Sequence, residues 1–138
     1  MVTSIDIQLI SCCSVVDKFL RRKKMSYIVV LTSDEMGHNN QSSEIGAKLM
    51  NAFLHKLTEQ PEMPTHVLLY NSAVWLNKPD APTVEDLKIL ADKGVKLLTC
   101  GTCMNYFEQD QEQLPVGEVG NMGQFIEIMR EAERIVQP

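Results

Sequence analysis

Val95-Lys96-Leu97-Leu98-Thr99-Cys100-Gly101-Thr102-Cys103 is the stretch that organises the rest of the chain. Its first half is short, apolar and β-compatible, and it runs straight into a Cys-Gly-Thr-Cys turn from which a new helix is expected, holding Met104, Tyr106 and Phe107. A thiol at a strand's carboxyl end and a helix's amino end faces unpaired backbone N–H groups and the positive end of the helix dipole. Both favour a thiolate over a thiol. If the chain carries out chemistry, this turn is where the residue types point.

The same strand–turn–helix unit recurs on either side. Upstream, Tyr27-Ile28-Val29-Val30-Leu31-Thr32 is a continuous apolar run rich in β-branched residues, as expected of a strand covered on both faces. A polar loop around Gly37 follows. Ser42 and Ser43, with Glu44 close behind, then open a helix whose apolar stripe is Ile45, Leu49, Met50, Phe53, Leu54 and Leu57. Pro61 and Pro64 end that helix, and His66 to Asn71 is a second strand. A loop from Ser72 to Pro82 carries the single tryptophan, Trp75. Thr83 is placed to cap the next helix with Asp86 in the reciprocal position, and Gly94 suits its carboxyl end.

Downstream of the cysteines, Leu114 to Val119 reads as a fourth strand. Asn121 and Gln124 cap a last helix with Met122, Phe125, Ile126 and Met129 turned inward, and Ile135-Val136 closes as a short strand. Strands alternating with helices in this way predict a three-layer α/β/α domain on a mostly parallel, five-stranded sheet of flavodoxin-like topology. Sites in such sheets form outside the carboxyl ends of the strands. Those ends deliver Ser33 and Asp34, Asn71 and Ser72, Cys100, and Gly120 and Asn121.

The totals narrow the function classes. At 138 residues, 44% hydrophobic and 22% charged, the chain is long enough for one globular domain with a true core. A net charge of −5 argues against nucleic acid or an anionic membrane as the main partner. No apolar run approaches the ~20 residues that span a bilayer, and the basic run Arg21-Arg22-Lys23-Lys24 follows the apolar residues, the reverse of a secretory signal. Cys12, Cys13, Cys100 and Cys103 fall in two tight pairs, unlike the spread of a disulfide-stapled secreted domain, so a cytoplasmic protein with reduced thiols is expected. Residues 1–24 lack the pattern of the remainder and are read as an extension outside the 25–138 core.

Four readings of Cys100 and Cys103 compete. Cys100 is a nucleophile that carries sulfur as a persulfide; the pair cycles between dithiol and disulfide; the pair is half of a zinc site; or both are small buried residues at a tight junction. Zinc would need two more ligands, and His38, His55 and His66 are not spaced to supply them. The Gly37 loop lacks the glycine density of a phosphate cradle, so neither nucleotide nor flavin is expected and no cofactor is assigned.

Thr32-Ser33-Asp34, then Leu69-Tyr70-Asn71-Ser72, then Leu98-Thr99-Cys100-Gly101-Thr102-Cys103, and finally Val116-Gly117-Glu118-Val119-Gly120-Asn121-Met122, taken together, resemble the DsrE-like family over residues 27–137. They resemble most the C-terminal domain of YedF-type, sulfurtransferase-like selenium metabolism proteins. The resemblance implies a DsrE/DsrF-like fold in a cytoplasmic, commonly oligomeric protein. It also implies a sulfur-relay carrier in which Cys100 bears the persulfide and Cys103 is its companion. Asn71, Ser72, Thr102 and N–H groups near Gly101 would then hydrogen-bond the anionic sulfur. The implied partners are a TusA-like carrier or a cysteine desulfurase, and a second copy of the chain. Residues 1–24 contain no Cys-Pro motif of the TusA-like kind that usually precedes this domain. A non-catalytic assembly subunit and a Cys100–Cys103 redox protein stay open beside the carrier.

Overall fold

The computed structural model describes residues 26–42 and 44–138. The extension expected at residues 1–24, with Cys12, Cys13 and the basic run, lies outside them, as does Ser43, expected to help open a helix.

Five parallel strands form one sheet: β1 (Tyr27–Leu31), β2 (His66–Leu69), β3 (Lys96–Cys100), β4 (Glu118–Gly120) and β5 (Arg134–Val136). Their order is β4-β3-β2-β1-β5. The parallel three-layer α/β class is as expected, while the order differs from the 2-1-3-4-5 of a flavodoxin-like sheet. Four strands step outward in sequence, and the last returns to flank β1, pairing Ile28 with Ile135.

Side chains alternate across the sheet, as the twofold pleat requires. Val29, Leu31, Val67, Leu69 and Leu97 point into the larger core beneath α1 (Glu44–Thr58) and α2 (Val84–Asp92). Ile28, Val30, Leu68, Leu98 and Cys100 point the other way, onto Phe125 of α4 (Met122–Glu131). Among the described residues the second face has this one long helix over it and packs fewer buried apolar side chains.

Several local expectations give way to tertiary packing. Met122 and Ile126 are 49% and 58% exposed, and Ile45 and Leu49 are each 47% exposed. The stripe packed on the sheet is instead the buried Phe125 with the partly buried Ile128 and Met129, continued by Ala132 just past the end of α4, at three- and four-residue spacing. Thr83 does not cap α2: its backbone is already helical, and its hydroxyl donates to the Leu76 carbonyl at 2.6 Å. The tryptophan loop is a 3-10 helix over Asn71–Leu76. The fourth strand is only Glu118–Gly120, because Gly117 turns the chain with φ +75° immediately before it.

The expected cap of α4 is present in full. Asn121 Oδ1 accepts from the Gln124 N–H at 2.9 Å, and Gln124 Oε1 accepts from the Asn121 N–H at 3.0 Å. Asn121→Ala should therefore cost about 1 kcal/mol, seen as a fall of roughly 3–5 °C in Tm for a domain of this length. An unchanged melting temperature would mean that the cap is redundant.

Candidate functional site

Cys100 is the last residue of β3 and the residue preceding α3 (Gly101–Tyr106). Its backbone is extended (φ −64°, ψ 118°), so strand geometry carries through to the first turn of the helix. The pleat points its side chain to the Phe125 face, where it is 3% exposed. Cys103, one helical turn later, is half-buried above the same cluster, beside Tyr70. Tyr70 in turn lies against Phe125, with ring centroids 6.1 Å apart.

The two thiols are free and belong to one packed cluster, near enough for Cys100 to influence the titration of Cys103. The backbone N–H that reaches this pair goes to Cys103: Asn71 N–H donates to its Sγ at 3.1 Å. Asn71 holds a left-handed backbone (φ 55°) at the first position of the 3-10 helix, a conformation asparagine tolerates better than most residues. The turn after β2 thus aims an N–H group at the sulfur on α3. The site is an inner thiol, an outer thiol, and one donor on the outer one.

This differs from the helix-terminus picture in one respect. α3 is six residues long, so few peptide dipoles align behind Cys100, and the expected helix field is correspondingly small. Burial instead raises the pKa of the Cys103 thiol above its ordinary value. The Asn71 N–H opposes that rise and Cys100 adds to it. A raised pKa keeps Cys103 protonated at neutral pH, and only the thiolate attacks an alkylating agent. Its alkylation by iodoacetamide should therefore be slow at pH 7 and keep rising beyond the pH where a free cysteine has levelled off. A rate that levels off below the ordinary thiol range would contradict this reading.

The other sequence candidates divide. Asn71, Cys100 and Cys103 come together. Ser72 is half-buried within the 3-10 helix, Gly101 is buried and Thr102 is exposed on α3. Asn121 is committed to capping α4. Ser33 Oγ accepts from the Glu35 N–H at 3.1 Å, shaping the turn after β1. Asp34 lines a cavity that neither cysteine lines, with Trp75 and Lys78. Sequence reading passed over Gln111, whose Nε2 donates to the Gly101 carbonyl at 3.2 Å and to Asn105 Oδ1 at 2.9 Å, fastening α3. No periodicity distinguishes it inside a polar connection. Among the described residues no helix is long and apolar enough to cross a membrane, and no three His, Cys, Asp or Glu side chains group to hold a metal.

Comparison with known proteins places this arrangement. The sequence model of the DsrE/DsrF-like family matches residues 25–138. No curated protein sequence matches significantly. Among solved structures, the protein of unknown function MTH1491 from Methanobacterium thermoautotrophicum is 17% identical. It superposes with a TM-score of 0.62 over 83% of this chain and 100% of its own. The ychN protein from E. coli is similar at 20% identity and TM-score 0.62, over 83% of this chain and 100% of its own. A conserved protein of unknown function, BT1422 from Bacteroides thetaiotaomicron, is 14% identical, with a TM-score of 0.55 over 82% and 95%. At these identities the likeness is one of fold.

Proposed function

Because this chain belongs to the DsrE/DsrF-like family, we propose that it is a sulfur-relay protein carrying sulfur as a persulfide on Cys100, with Cys103 as the thiol that meets the donor. Family membership supports the relay role. The observation that carries the division of labour is the pairing of one buried and one half-exposed thiol in a single packed cluster.

The chemistry needs no oxidant. A donor persulfide, R–S–SH, presents its terminal sulfur to the Cys103 thiolate. The new S–S bond forms as the donor's S–S bond breaks, and R–S⁻ leaves with the proton Cys103 gave up. Cys100 then attacks the outer sulfur, releasing Cys103, which takes up the Cys100 proton. Sulfur ends on the inner residue, where burial keeps solvent thiols from stripping it. The Asn71 N–H stabilises the negative charge on Cys103 each time it is released. The Cys-Gly-Thr-Cys spacing supports a YedF-type member, and with it a TusA-like carrier or a cysteine desulfurase as partner, a cytoplasmic setting and self-association. Any selenium chemistry would use the same exchange.

The test is intact mass after incubation with a cysteine desulfurase and cysteine, followed by a chase with a small thiol. The wild type and Cys103→Ser should each keep the mass of one added sulfur atom, and Cys100→Ser should lose it in the chase. No adduct on the wild type, or an adduct in Cys100→Ser that survives the chase, sinks the reading. A second reading, a thiol–disulfide redox protein, draws on the same pairing of the thiols. It predicts a Cys100–Cys103 disulfide that forms readily in a glutathione titration.

A further inference from the structure

A cavity of about 360 Å³ opens beyond the carboxyl ends of β1 and β2, on the α1 side of the 3-10 helix, and the thiols do not line it. It is walled by Asp34, Asn51, Trp75, Leu76, Lys78 and Pro82, among others. This is where an open α/β sheet places ligands, and the volume falls in the range of small-molecule sites.

The walls are fastened. The Asp34 turn is held by the Ser33–Glu35 contact and by the Met36 N–H, which donates to the Gly46 carbonyl at 3.0 Å. Gly46 permits that approach, because a Cβ there would stand 2.9 Å from the Glu35 Cβ. Across the cavity, Thr83 ties α2 to the Leu76 carbonyl, and the Ala81 N–H donates to the Lys78 carbonyl at 3.0 Å. Trp75 is wedged against Phe107, with centroids 5.4 Å apart, and carries the Lys78 ammonium 5.2 Å from its ring centroid.

The charges are opposite and weakly engaged. Among the described residues no hydrogen bond or ion pair occupies the Asp34 carboxylate. Besides the Trp75 ring, Lys78 reaches the exposed Asp80, at 3.6 Å, a surface pairing worth roughly 0–1 kcal/mol and readily exchanged for a ligand. One acid and one base in an apolar-walled cavity disfavour a polyanion, which Asp34 repels, and a plain cation, which Lys78 repels. They fit a ligand carrying both signs.

We infer that this cavity binds a free amino acid, its ammonium on Asp34, its carboxylate on Lys78 and its side chain against Trp75, Leu76 and Pro82. The inference stands apart from the persulfide proposal, since neither cysteine lines this cavity.

The single tryptophan makes the test direct. Trp75 fluorescence and calorimetry are followed while the full chain is titrated to millimolar concentration with L-serine, L-valine and L-methionine. Ethanolamine, lacking the carboxylate, and 3-hydroxypropionate, lacking the ammonium, serve as comparisons. At least one amino acid should bind saturably, and each comparison compound at least tenfold more weakly. Asp34→Asn and Lys78→Gln should each lose tenfold or more in affinity with unchanged circular dichroism, while Glu127→Gln on α4 should lose nothing. Absence of saturable binding by both methods, equal binding of a compound lacking one charge, or full affinity in either charge variant overturns the assignment.

Discussion

Cys103→Ser is expected to slow sulfur loading from a persulfide donor by about 10- to 100-fold, roughly 1.4 to 2.7 kcal/mol in barrier, without reducing the amount finally held. The reasoning is steric and then chemical. Cys100 is 3% exposed, too little for a protein-bound persulfide to reach it in line, whereas Cys103 is partly open to solvent. Serine still accepts the Asn71 N–H that Cys103 accepts at 3.1 Å, so the turn after β2 keeps its anchor. What it lacks is a sulfur nucleophile. Because burial raises the pKa of Cys103, wild-type loading should also accelerate as pH rises. Stopped-time mass spectrometry across a pH series reads both effects. Faster loading in Cys103→Ser would mean that this thiol merely covers Cys100, and the receiving role would be discarded.

The largest stability effect is expected at Gly117. Its φ of +75° is strained for any residue with a Cβ, and the added atom would stand 2.3 Å from the Leu97 carbonyl oxygen and 2.8 Å from the Leu97 Cβ. Neither the β3 backbone nor the turn can yield without parting β4 from β3. That pairing sets Gly120 opposite Cys100. Gly117→Ala combines roughly 1–3 kcal/mol of backbone strain with 1–3 kcal/mol of overpacking. A total near 4 kcal/mol is a large part of the ~5–15 kcal/mol that holds a typical domain together. Gly37 is the control: it has a similar φ, +71°, but nothing within 4 Å of its added Cβ. Gly37→Ala should cost only about 1 kcal/mol. Urea midpoints at constant slope separate the two, and equal losses would show that the Leu97 clash is relieved by local adjustment.

Much of the fold is written in local patterns. Tyr27–Leu31 and His66–Leu69 are apolar on both faces because both faces are covered. Gly94, with φ +94°, ends α2 as its position after Lys93 suggested, and the Asn121–Gln124 box opens α4. These features depend on residues three or four apart. Where a reading failed, the deciding partner was distant in sequence. Thr83 has the residue type of a cap, yet Leu76 takes its hydroxyl. Ile126 and Met122 have helix-face spacing, yet the sheet reaches only Phe125, Ile128, Met129 and Ala132.

The sequence by itself placed a pair of thiols at the end of a central strand, because strand, turn and helix are each encoded within a few residues. It also carried the family motifs, which are local strings. The resemblance already set Cys100 apart from Cys103, but only the tertiary structure makes one thiol buried and the other partly open. The pleat turns Cys100 into the face that Phe125 covers, and the β2 turn brings the Asn71 N–H to Cys103 across 32 positions of chain. Burial and a donor from another strand depend on which segments pack together. The same holds for Asp34, Trp75 and Lys78, which form one cavity because β1 and β2 lie side by side.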